Sequence, residues 1–230
     1  MKNLVVLTGA GISRESGLKT FRDGDGLWEG HNIHDVATPE AWKRNPKLVQ
    51  SFYNERRRGV IDAKPNSAHL DLVQLEKTYN VTIITQNIDD LHERAGSTNI
   101  LHLHGEIMKS QSSTDPSLVY EITEPTIEMG AKCERGSQLR PHVVWFGEAV
   151  PMMDRAIKIT ESADIFIVIG TSLAVYPAAS LLQFTSEEAS LWIIDPVIPS
   201  MPEAFIDRVR IIEETAASGT KILLKDLFKN

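Results

Sequence analysis

The sequence predicts an α/β protein built on a doubly wound, parallel (Rossmann-like) sheet with a smaller inserted lobe. Short apolar runs rich in β-branched residues indicate buried strands at residues 4–7, 81–85, 165–170 and 191–195. Between them, apolar residues recur at helical spacing over residues 66–80, 151–164 and 176–189. Strands that alternate with helices form a parallel sheet, which binds its ligands at the carboxyl ends of the strands.

Two segments interrupt this alternation. Residues 28–65 contain helix-like patterns without a convincing strand, and residues 111–138 are polar and irregular. We therefore expect a single domain over residues 1–230 in which both interruptions contribute to the small lobe. The expected approximate boundaries are residues 1–27, 67–106 and 141–230 for the core, and residues 28–66 and 107–140 for the lobe.

The composition of the chain disfavours several classes of protein, namely nucleic-acid-binding, disulfide-bonded, secreted and membrane proteins. The 230-residue chain carries a net charge of −7, which disfavours nucleic acid as a partner because phosphate binding requires a basic face. Its single cysteine, Cys133, excludes a disulfide within the chain and nearly excludes a cysteine-rich zinc site. The apolar run at residues 4–7 is too short for a signal peptide, and no run reaches membrane-spanning length. We expect a cytoplasmic monomer without a membrane partner.

The first motif, LTGAGISRESG, places a glycine turn directly after the first strand. Glycines within residues 9–11 allow the backbone to approach a pyrophosphate. The motif departs from the hydride-transfer fingerprint, because Arg14 stands where the third glycine belongs and no strand ending in an acid follows about 20 residues later. The next loop, with Phe21, Arg22 and Trp28, is typical either of a lid beside a dinucleotide or of an ordinary surface loop.

The second motif, TQNIDD, leaves the carboxyl end of the strand at residues 81–85. The amides of Gln86 and Asn87 and the carboxylate of Asp89 can hydrogen-bond a carboxamide and ribose hydroxyls. Alternatively, Asn87 or Asp89 caps the next helix. In the following HGE motif, His104 stands at a strand end, where an imidazole with a pKa near neutrality suits a general base, although a lone histidine is more often structural.

Two further strand ends carry candidate binding residues. In RPHVVWFGE, residues 143–146 predict a short strand whose exposed edge could accept a peptide, with core packing of Trp145 and Phe146 as the alternative. Gly170, Thr171 and Ser172 follow the most apolar strand, and small hydroxylated residues there suit ribose or phosphate contacts.

The stretch SFYNERRRGV predicts a helix with an unusual cluster of cations in an acidic protein. Tyr53 and Arg56 are three residues apart and share one helix face. The cluster indicates either a solvated face or a phenol and a guanidinium directed at an anionic ligand. Arg57 and Arg58 point elsewhere and are expected to be solvated.

Taken in this order, GAGIS with SGLKTFR, TQNID, HGE, RPHVVWFGE and GTSL resemble the sirtuin family of NAD-dependent protein lysine deacylases. The resemblance extends from Leu4 to about Asp195. Tyr53 and Arg56 resemble the Tyr-x-x-Arg pair of class III sirtuins, which remove succinyl, malonyl or glutaryl groups. The segment ATPEAW resembles the same class, in which a small residue, here Ala37, leaves room for the longer acyl chain.

The resemblance implies a complete set of site residues. The residues implied to contact NAD are Gly9, Ala10, Gly11, Ile12, Ser13, Phe21, Arg22, Trp28, Gln86, Asn87, Ile88, Asp89, Gly170, Thr171, Ser172, Asp195 and Ala217. Those implied to contact the acylated lysine peptide are Ala37, Tyr53, Arg56, Val144, Phe146, Gly147 and Glu148. Asn87, Asp89 and His104 are the implied catalytic residues, with His104 as the general base.

The activity implied is removal of succinyl or malonyl groups, with some deacetylation, giving lysine, nicotinamide and 2′-O-acyl-ADP-ribose. A narrow deacetylase or a sirtuin-like ADP-ribosyltransferase is the alternative. A module that binds NAD without turnover is a third possibility, which the presence of His104, Asn87 and Asp89 disfavours.

The sequence departs from the family pattern at the zinc module. Most sirtuins carry two Cys-x-x-Cys pairs between HGE and RP, whereas here only Cys133 is present, Gly136 takes the second place of its pair, and residues 111–113 contain no cysteine. A single thiolate cannot hold a tetrahedral structural zinc, so we expect NAD without a metal. Asp195 also stands where the family usually has Asn.

Overall fold

The structure is a computed structural model that describes residues 1–20, 27–28 and 30–229. Its strands, in chain order, are β1 (Asn3–Thr8), β2 (Leu27–Trp28), β3 (His31–Asn32), β4 (Asn80–Thr85), β5 (Ile100–His102), β6 (Gly105–Ser112), β7 (Val119–Glu121), β8 (Leu139–Val143), β9 (Ile165–Ile169), β10 (Ser190–Ile194) and β11 (Val209–Ile212). Its α-helices are α1 (Gly11–Arg14), α2 (Ile33–Val36), α3 (Pro39–Arg44), α4 (Pro46–Asp62), α5 (Ser67–Leu75), α6 (Leu91–Ala95), α7 (Met153–Glu161), α8 (Glu203–Ile206) and α9 (Ala216–Phe228), and residues 178–184 form a 3₁₀ helix.

The predicted doubly wound parallel sheet is confirmed. Six parallel strands lie in the order β11-β10-β9-β1-β4-β5. From β1 the chain moves outward through β4 and β5 and then returns to the other side of β1 at β9. Strand order therefore reverses between β1 and β9, and ligands of such sheets bind in the crevice beyond the carboxyl ends at that point.

Alternate residues of each strand face opposite layers. In β1, Leu4 and Val6 pack towards α5 and α9, whereas Val5 and Leu7 pack towards α7 and the 3₁₀ helix. All four side chains are buried, as the near-continuous apolar runs require for a parallel sheet covered on both faces.

Helices of the segment between β1 and β4 begin at well-defined caps. Thr38 and Asn45 each accept a hydrogen bond from a backbone amide of the next helix, and a proline follows each cap at the first helical position. One apolar cluster joins this segment to β6 and to the end of β8, including Phe52, Ile107 and Trp145.

Several local features differ from the sequence prediction. The strand expected at residues 143–146 is wrong: β8 ends at Val143, and the Phe146 amide bonds to the Ala37 carbonyl instead of to the segment paired with β8. Within residues 176–189, where an α-helix was expected, Ala178–Phe184 form a 3₁₀ helix. Short strands occur within both segments expected to lack them, and β11 and α9 were not predicted. Within the described residues no helix is long and apolar enough to cross a membrane.

One face of α4 ties residues 107–127 to the rest of the protein. Gln50 Nε2 and Asn54 Nδ2 donate to the Ile127 carbonyl at 2.9 and 3.1 Å, and the Ile127 amide donates back to Asn54 Oδ1 at 2.9 Å. Arg57 Nε donates to the Ile107 carbonyl at 2.7 Å. Residues 50, 54 and 57 share a face because they are four and three positions apart.

Arg57 corrects a sequence expectation. It is fully buried rather than solvated, whereas Arg58 is exposed. Arg57 Nη1 donates to Asn54 Oδ1 at 2.8 Å and to the Pro125 carbonyl at 3.4 Å. Burial lowers its pKa to about 10, which still leaves the guanidinium charged at neutral pH. The burial is possible because the Ile107 and Pro125 carbonyls accept hydrogen bonds from Arg57. Both residues are distant in sequence, so a local pattern does not predict it.

We expect Arg57→Met to lower the free energy of unfolding by about 2–3 kcal/mol, because it removes charge-assisted hydrogen bonds and orphans buried carbonyls. Thermal denaturation should show a Tm about 4–10 °C lower. Arg58→Met is the matched control, since it removes the same charge from an exposed neighbour and should change stability by less than about 0.5 kcal/mol. Equal Tm values for the two variants would contradict this role of Arg57.

Candidate active site

The glycine turn after β1 packs directly on the loop after β9. The Gly9 amide donates to the Ile169 carbonyl at 3.0 Å, and the Gly11 amide donates to the Gly170 carbonyl at 2.8 Å. A Cβ atom on Gly11 would lie 2.6 Å from the Gly170 Cα, so the backbones could not approach this closely with a larger residue. Two predicted NAD-contacting segments therefore meet at the strand-order reversal.

Side chains join these loops to the loop after β4. Ser13 Oγ donates to Asp89 Oδ2 at 3.0 Å, and Asn87 Nδ2 donates to Ser13 Oγ at 3.1 Å. Gln86 Nε2 donates to Thr171 Oγ1 at 3.1 Å. Candidate residues from three separate motifs thus form one connected polar group at the carboxyl edge of the sheet.

Asp89 lies between the start of α6 and the glycine-turn segment. Its Oδ1 accepts the Leu91 amide, the first of α6, at 3.2 Å from the position before the N-cap residue Asp90, while its Oδ2 accepts Ser13 Oγ. Burial raises the pKa of Asp89 above its ordinary value, and the hydrogen bonds from Leu91 and Ser13 oppose that shift. The neighbouring Ile88 carbonyl accepts the Ile107 amide at 2.8 Å, which fixes the loop to β6.

His104 has the protonation pattern of a general base. Its Nδ1 lies 3.0 Å from the Gln86 carbonyl, which can only accept, so Nδ1 carries the proton and Nε2 of the neutral ring does not. Burial lowers the pKa of His104, with the bond to Gln86 opposing the shift. The ring is therefore neutral at pH 7, with an unprotonated Nε2.

His102, two residues earlier, has the opposite electrostatic setting. Both ring nitrogens face acceptors: Nδ1 donates to the Asn87 carbonyl at 3.1 Å and Nε2 donates to Glu93 Oε1 at 2.8 Å. Burial lowers the pKa of His102, but the Glu93 carboxylate and the Asn87 carbonyl outweigh it, so the net shift is upward. His102 therefore supports the loop as a cation.

The predicted acyl-binding pair lies in one aromatic cluster with Trp28. The Arg56 guanidinium stands 4.2 Å from the centre of the Trp28 ring, and the Tyr53 ring lies 6.3 Å from the same indole. Tyr53 is buried, and burial raises the pKa of its phenol well above the usual range, while Arg56 acts in the opposite direction. The phenol is therefore a neutral hydrogen-bond donor beside a cation.

Backbone contacts connect this cluster to His104. The Val144 amide donates to the His104 carbonyl at 2.9 Å, and the Phe146 amide donates to the Ala37 carbonyl at 3.0 Å. Phe146 is 42% exposed, whereas Ala37 is buried. Gly147 follows with φ of 91°, a left-handed conformation that favours glycine. The segment from Val144 to Gly147 thus runs from His104 to the cluster that contains Tyr53 and Trp28.

Glu148 holds the end of this segment. Its Oε1 accepts Arg140 Nη2 at 2.8 Å, and its Oε2 accepts the Trp145 amide at 2.8 Å. The Arg140 guanidinium also stacks 3.8 Å from the centre of the Trp145 ring. Arg140 was not among the candidate residues, because an arginine eight positions before its carboxylate partner gives no local signal.

The remaining candidates lie at the periphery or outside the described residues. Asp195 is buried just after β10, and its Oδ1 accepts the Val197 amide at 2.9 Å. The Ala217 amide donates to Glu15 Oε2 at 2.8 Å, which joins the start of α9 to the glycine-turn segment. Phe21 and Arg22 lie outside the described residues.

Comparisons with known proteins agree on one family. Residues 9–177 match the Sir2 family model. A protein of Helicobacter pylori named "NAD-dependent protein deacylase" is 52% identical over 231 residues, covering 100% of this chain and 99% of that protein. A Sir2 homologue solved as an NAD complex has a TM-score of 0.88 at 40% identity, covering 99% of this chain and 90% of that one.

A third match includes a peptide. A Sir2 protein solved with a deacetylated p53 peptide and 3′-O-acetyl-ADP-ribose has a TM-score of 0.78 at 29% identity, covering 97% of this chain and 92% of that one. The family model spans most of the chain, and the identity to the H. pylori protein extends over its full length. The chain belongs to the Sir2 family.

Proposed function

We propose that the chain is an NAD-dependent protein lysine deacylase whose preferred acyl groups end in a carboxylate, namely succinyl and malonyl, with weaker deacetylase activity. The observation that carries the activity is His104, a neutral imidazole with an unprotonated Nε2 beside the Gln86–Asp89 loop. The name of the H. pylori relative, and the NAD complex of the structural match, support the same assignment.

The chain offers NAD a cradle of backbone and short polar side chains. Glycine backbones at residues 9–11 and 170 suit the pyrophosphate, and Ala10, Ile12 and Ser13 continue the same turn. We assign Thr171 and Ser172 to ribose or phosphate contacts, as the resemblance implies. Asn87 and Asp89 would orient the nicotinamide amide and its ribose.

When bound, NAD would supply an electrophilic ribose carbon with nicotinamide as its leaving group. His104 Nε2 would accept the proton of a ribose hydroxyl as that oxygen bonds to the acyl carbon, and one water molecule would be consumed as the lysine amine is released. The products are lysine, nicotinamide and 2′-O-acyl-ADP-ribose. A general base in this position is expected to contribute about 10²–10⁴-fold to the rate.

The acyl preference rests on Tyr53 and Arg56. A neutral phenol and a guanidinium can both donate to one carboxylate, each hydrogen bond to the charged group being worth about 1.5–3 kcal/mol. The resemblance to class III sirtuins implies that the small Ala37 admits a longer acyl chain, and Ala37 lies in the same apolar cluster as Tyr53 and Trp28, with its carbonyl bonded to the Phe146 amide. An acetyl group cannot use these donors.

The activity is tested by incubating an acyl-lysine peptide with the protein, with and without NAD. We expect nicotinamide and unmodified lysine to appear in equal amounts, and mass spectrometry to find the acyl group on ADP-ribose. Nicotinamide release that does not depend on the peptide, or ADP-ribose attached to protein, would contradict the deacylase assignment.

The residues present do not fit the structural zinc that most sirtuins carry. Cys133 stands in a turn. The Cys133 amide donates to the Ser137 carbonyl, and the Cys133 carbonyl accepts the Gly136 amide, each at 2.9 Å. The described residues contain no group of His, Cys, Asp and Glu that could hold a metal. Gln138 instead spans the turn, donating to the Glu128 carbonyl and accepting the Gly130 amide.

We therefore propose that the lobe folds without a metal. Treatment with a strong chelator is expected to leave the Tm of the purified protein unchanged, because the contacts that order residues 111–138 are hydrogen bonds and ion pairs. Elemental analysis of the same sample should find well under one zinc per chain. Stoichiometric zinc whose removal lowers the Tm would overturn this proposal.

A further inference from the structure

A buried chain of hydroxyl and imidazole groups lies beneath the candidate NAD loops, and the mechanism above does not use it. Its members, which we call the threonine-histidine chain, are Thr8, Thr85, His92 and His69. All four are fully buried. Thr8 and Thr85 stand side by side because β1 and β4 pair in a register that aligns them at their carboxyl ends.

The hydrogen bonds of the chain have a consistent direction. Thr8 Oγ1 donates to Thr85 Oγ1 at 2.8 Å, so His92 Nε2, 3.1 Å from Thr8 Oγ1, is the donor to Thr8. Thr85 Oγ1 also accepts the backbone amide of Asn87 at 3.0 Å. Burial lowers the pKa of His92 well below its ordinary value, so the ring is neutral and its Nδ1 is an acceptor.

His69 extends the chain to the glycine-turn segment. The Asn66 amide donates to His69 Nδ1 at 3.3 Å, which leaves the proton of the neutral ring on Nε2. The two imidazoles are adjacent, with centroids 4.9 Å apart. His69 Nε2 and His92 Nδ1 are both buried without a hydrogen-bond partner, and they are a donor and an acceptor. The two adjacent rings therefore present a complementary donor and acceptor to each other's surroundings.

Each end of the chain meets a loop assigned to NAD. Asn66 Nδ2 donates to the Ile12 carbonyl at 2.8 Å and to Ser16 Oγ at 3.0 Å, which holds the segment after the glycine turn. At the other end, the bond from the Asn87 amide to Thr85 fixes the backbone of the Gln86–Asp89 loop from below.

We propose that the threonine-histidine chain is a positioning device that sets the Gln86–Asp89 loop against the glycine turn, with the Thr8 hydroxyl as its central link. The proposal rests on the proposed function, which assigns both loops to NAD. Neither Thr8 nor His92 touches the reacting atoms; each acts through the Asn87 backbone. Small displacements of groups that orient a substrate are costly in rate, by as much as about 100-fold for a shift near 1 Å.

The test compares Thr8→Val with Thr8→Ser. Valine keeps the volume of threonine and removes the hydroxyl, whereas serine keeps the hydroxyl and loses a methyl group. We expect Thr8→Val to lower kcat/KM for NAD by about tenfold or more, and Thr8→Ser to remain within about threefold of wild type. If Thr8 only fills space, the order is reversed, because serine leaves a cavity and valine does not.

Two further measurements separate positioning from a loss of folded protein. A smaller active fraction lowers kcat without changing either KM, whereas a displaced loop raises the KM for NAD and leaves the KM for the acyl peptide unchanged.

His92→Gln, which can still donate from its side-chain amide, should retain more activity than His92→Leu, and this pair serves if Thr8→Val does not fold.

Equal kcat/KM for NAD in both members of each pair would overturn the positioning role while leaving the deacylase assignment intact. If the wild-type protein does not turn over NAD at all, that result would instead contradict the proposed function, and the positioning role, which rests on it, would fail as well. A kcat/KM for NAD in Thr8→Val below about a third of that in Thr8→Ser, together with a raised KM for NAD, would establish the role.

Discussion

Replacing His104 with Asn is expected to lower kcat for deacylation by about 10²–10⁴-fold while ADP-ribose still binds. Asparagine can place its amide nitrogen near the position of imidazole Nδ1 and keep the bond to the Gln86 carbonyl. It cannot supply the basic Nε2. The substitution therefore removes the proton acceptor and preserves the contact that shapes the loop, which His104→Ala would also remove.

The pH dependence of the wild-type enzyme provides a second readout of the same group. The pKa of His104 lies below the ordinary value of 6.5 because burial disfavours the imidazolium. Activity should therefore be level at neutral pH and fall only below pH 6.5, as the base gains its proton. His104→Asn should lose this acid limb. Calorimetry with ADP-ribose provides the binding control, and near wild-type turnover in the variant would show that His104 is structural.

The double substitution Tyr53→Phe/Arg56→Met is expected to lower kcat/KM for a succinyl-lysine peptide by about 100-fold or more. It removes two donors to the distal carboxylate, each worth about 1.5–3 kcal/mol, and about 1.4 kcal/mol corresponds to a factor of ten. The methionine retains apolar contact with Trp28, and the phenylalanine retains the packing of the tyrosine ring. An acetyl-lysine peptide should lose less than about threefold, because it has no carboxylate.

Arg58→Met is again the matched control, since Arg58 is exposed on the same helix and carries the same charge. It should leave the ratio of the succinyl to the acetyl kcat/KM unchanged. If the double variant loses the same factor on both substrates, the pair belongs to the general scaffold, and the preference for acidic acyl groups is wrong.

The sequence predicted most of the site because parallel strands share a carboxyl edge. Glycines after β1, polar residues after β4 and small residues after β9 had to meet once these runs were identified as strands of one sheet. Tyr53 and Arg56 were predicted together for an equally local reason, since helical spacing places positions three apart on one face.

Other features depend on contacts between distant residues. Arg57 and its exposed neighbour Arg58 are the same residue type in the same charged run. Arg57 is buried because it donates to the Ile107 and Pro125 carbonyls, which are distant in sequence. The threonine-histidine chain forms because the register of β1 against β4 aligns Thr8 with Thr85. Its prediction would have needed that register, which the sequence pattern alone does not supply. The end of β8 was missed for a similar reason, because the Phe146 amide bonds to the carbonyl of Ala37, a residue distant in sequence.

The most direct test of the central claim is a competition between succinyl-lysine and acetyl-lysine peptides of one sequence, present together with NAD in one reaction. At equal concentrations of the two peptides, the ratio of their rates of disappearance equals the ratio of their kcat/KM values and is independent of the active enzyme fraction. We expect the succinyl peptide to disappear faster, with loss of both requiring NAD and matched by nicotinamide release. Faster or equal loss of the acetyl peptide would contradict the assignment of Tyr53 and Arg56 as carboxylate ligands.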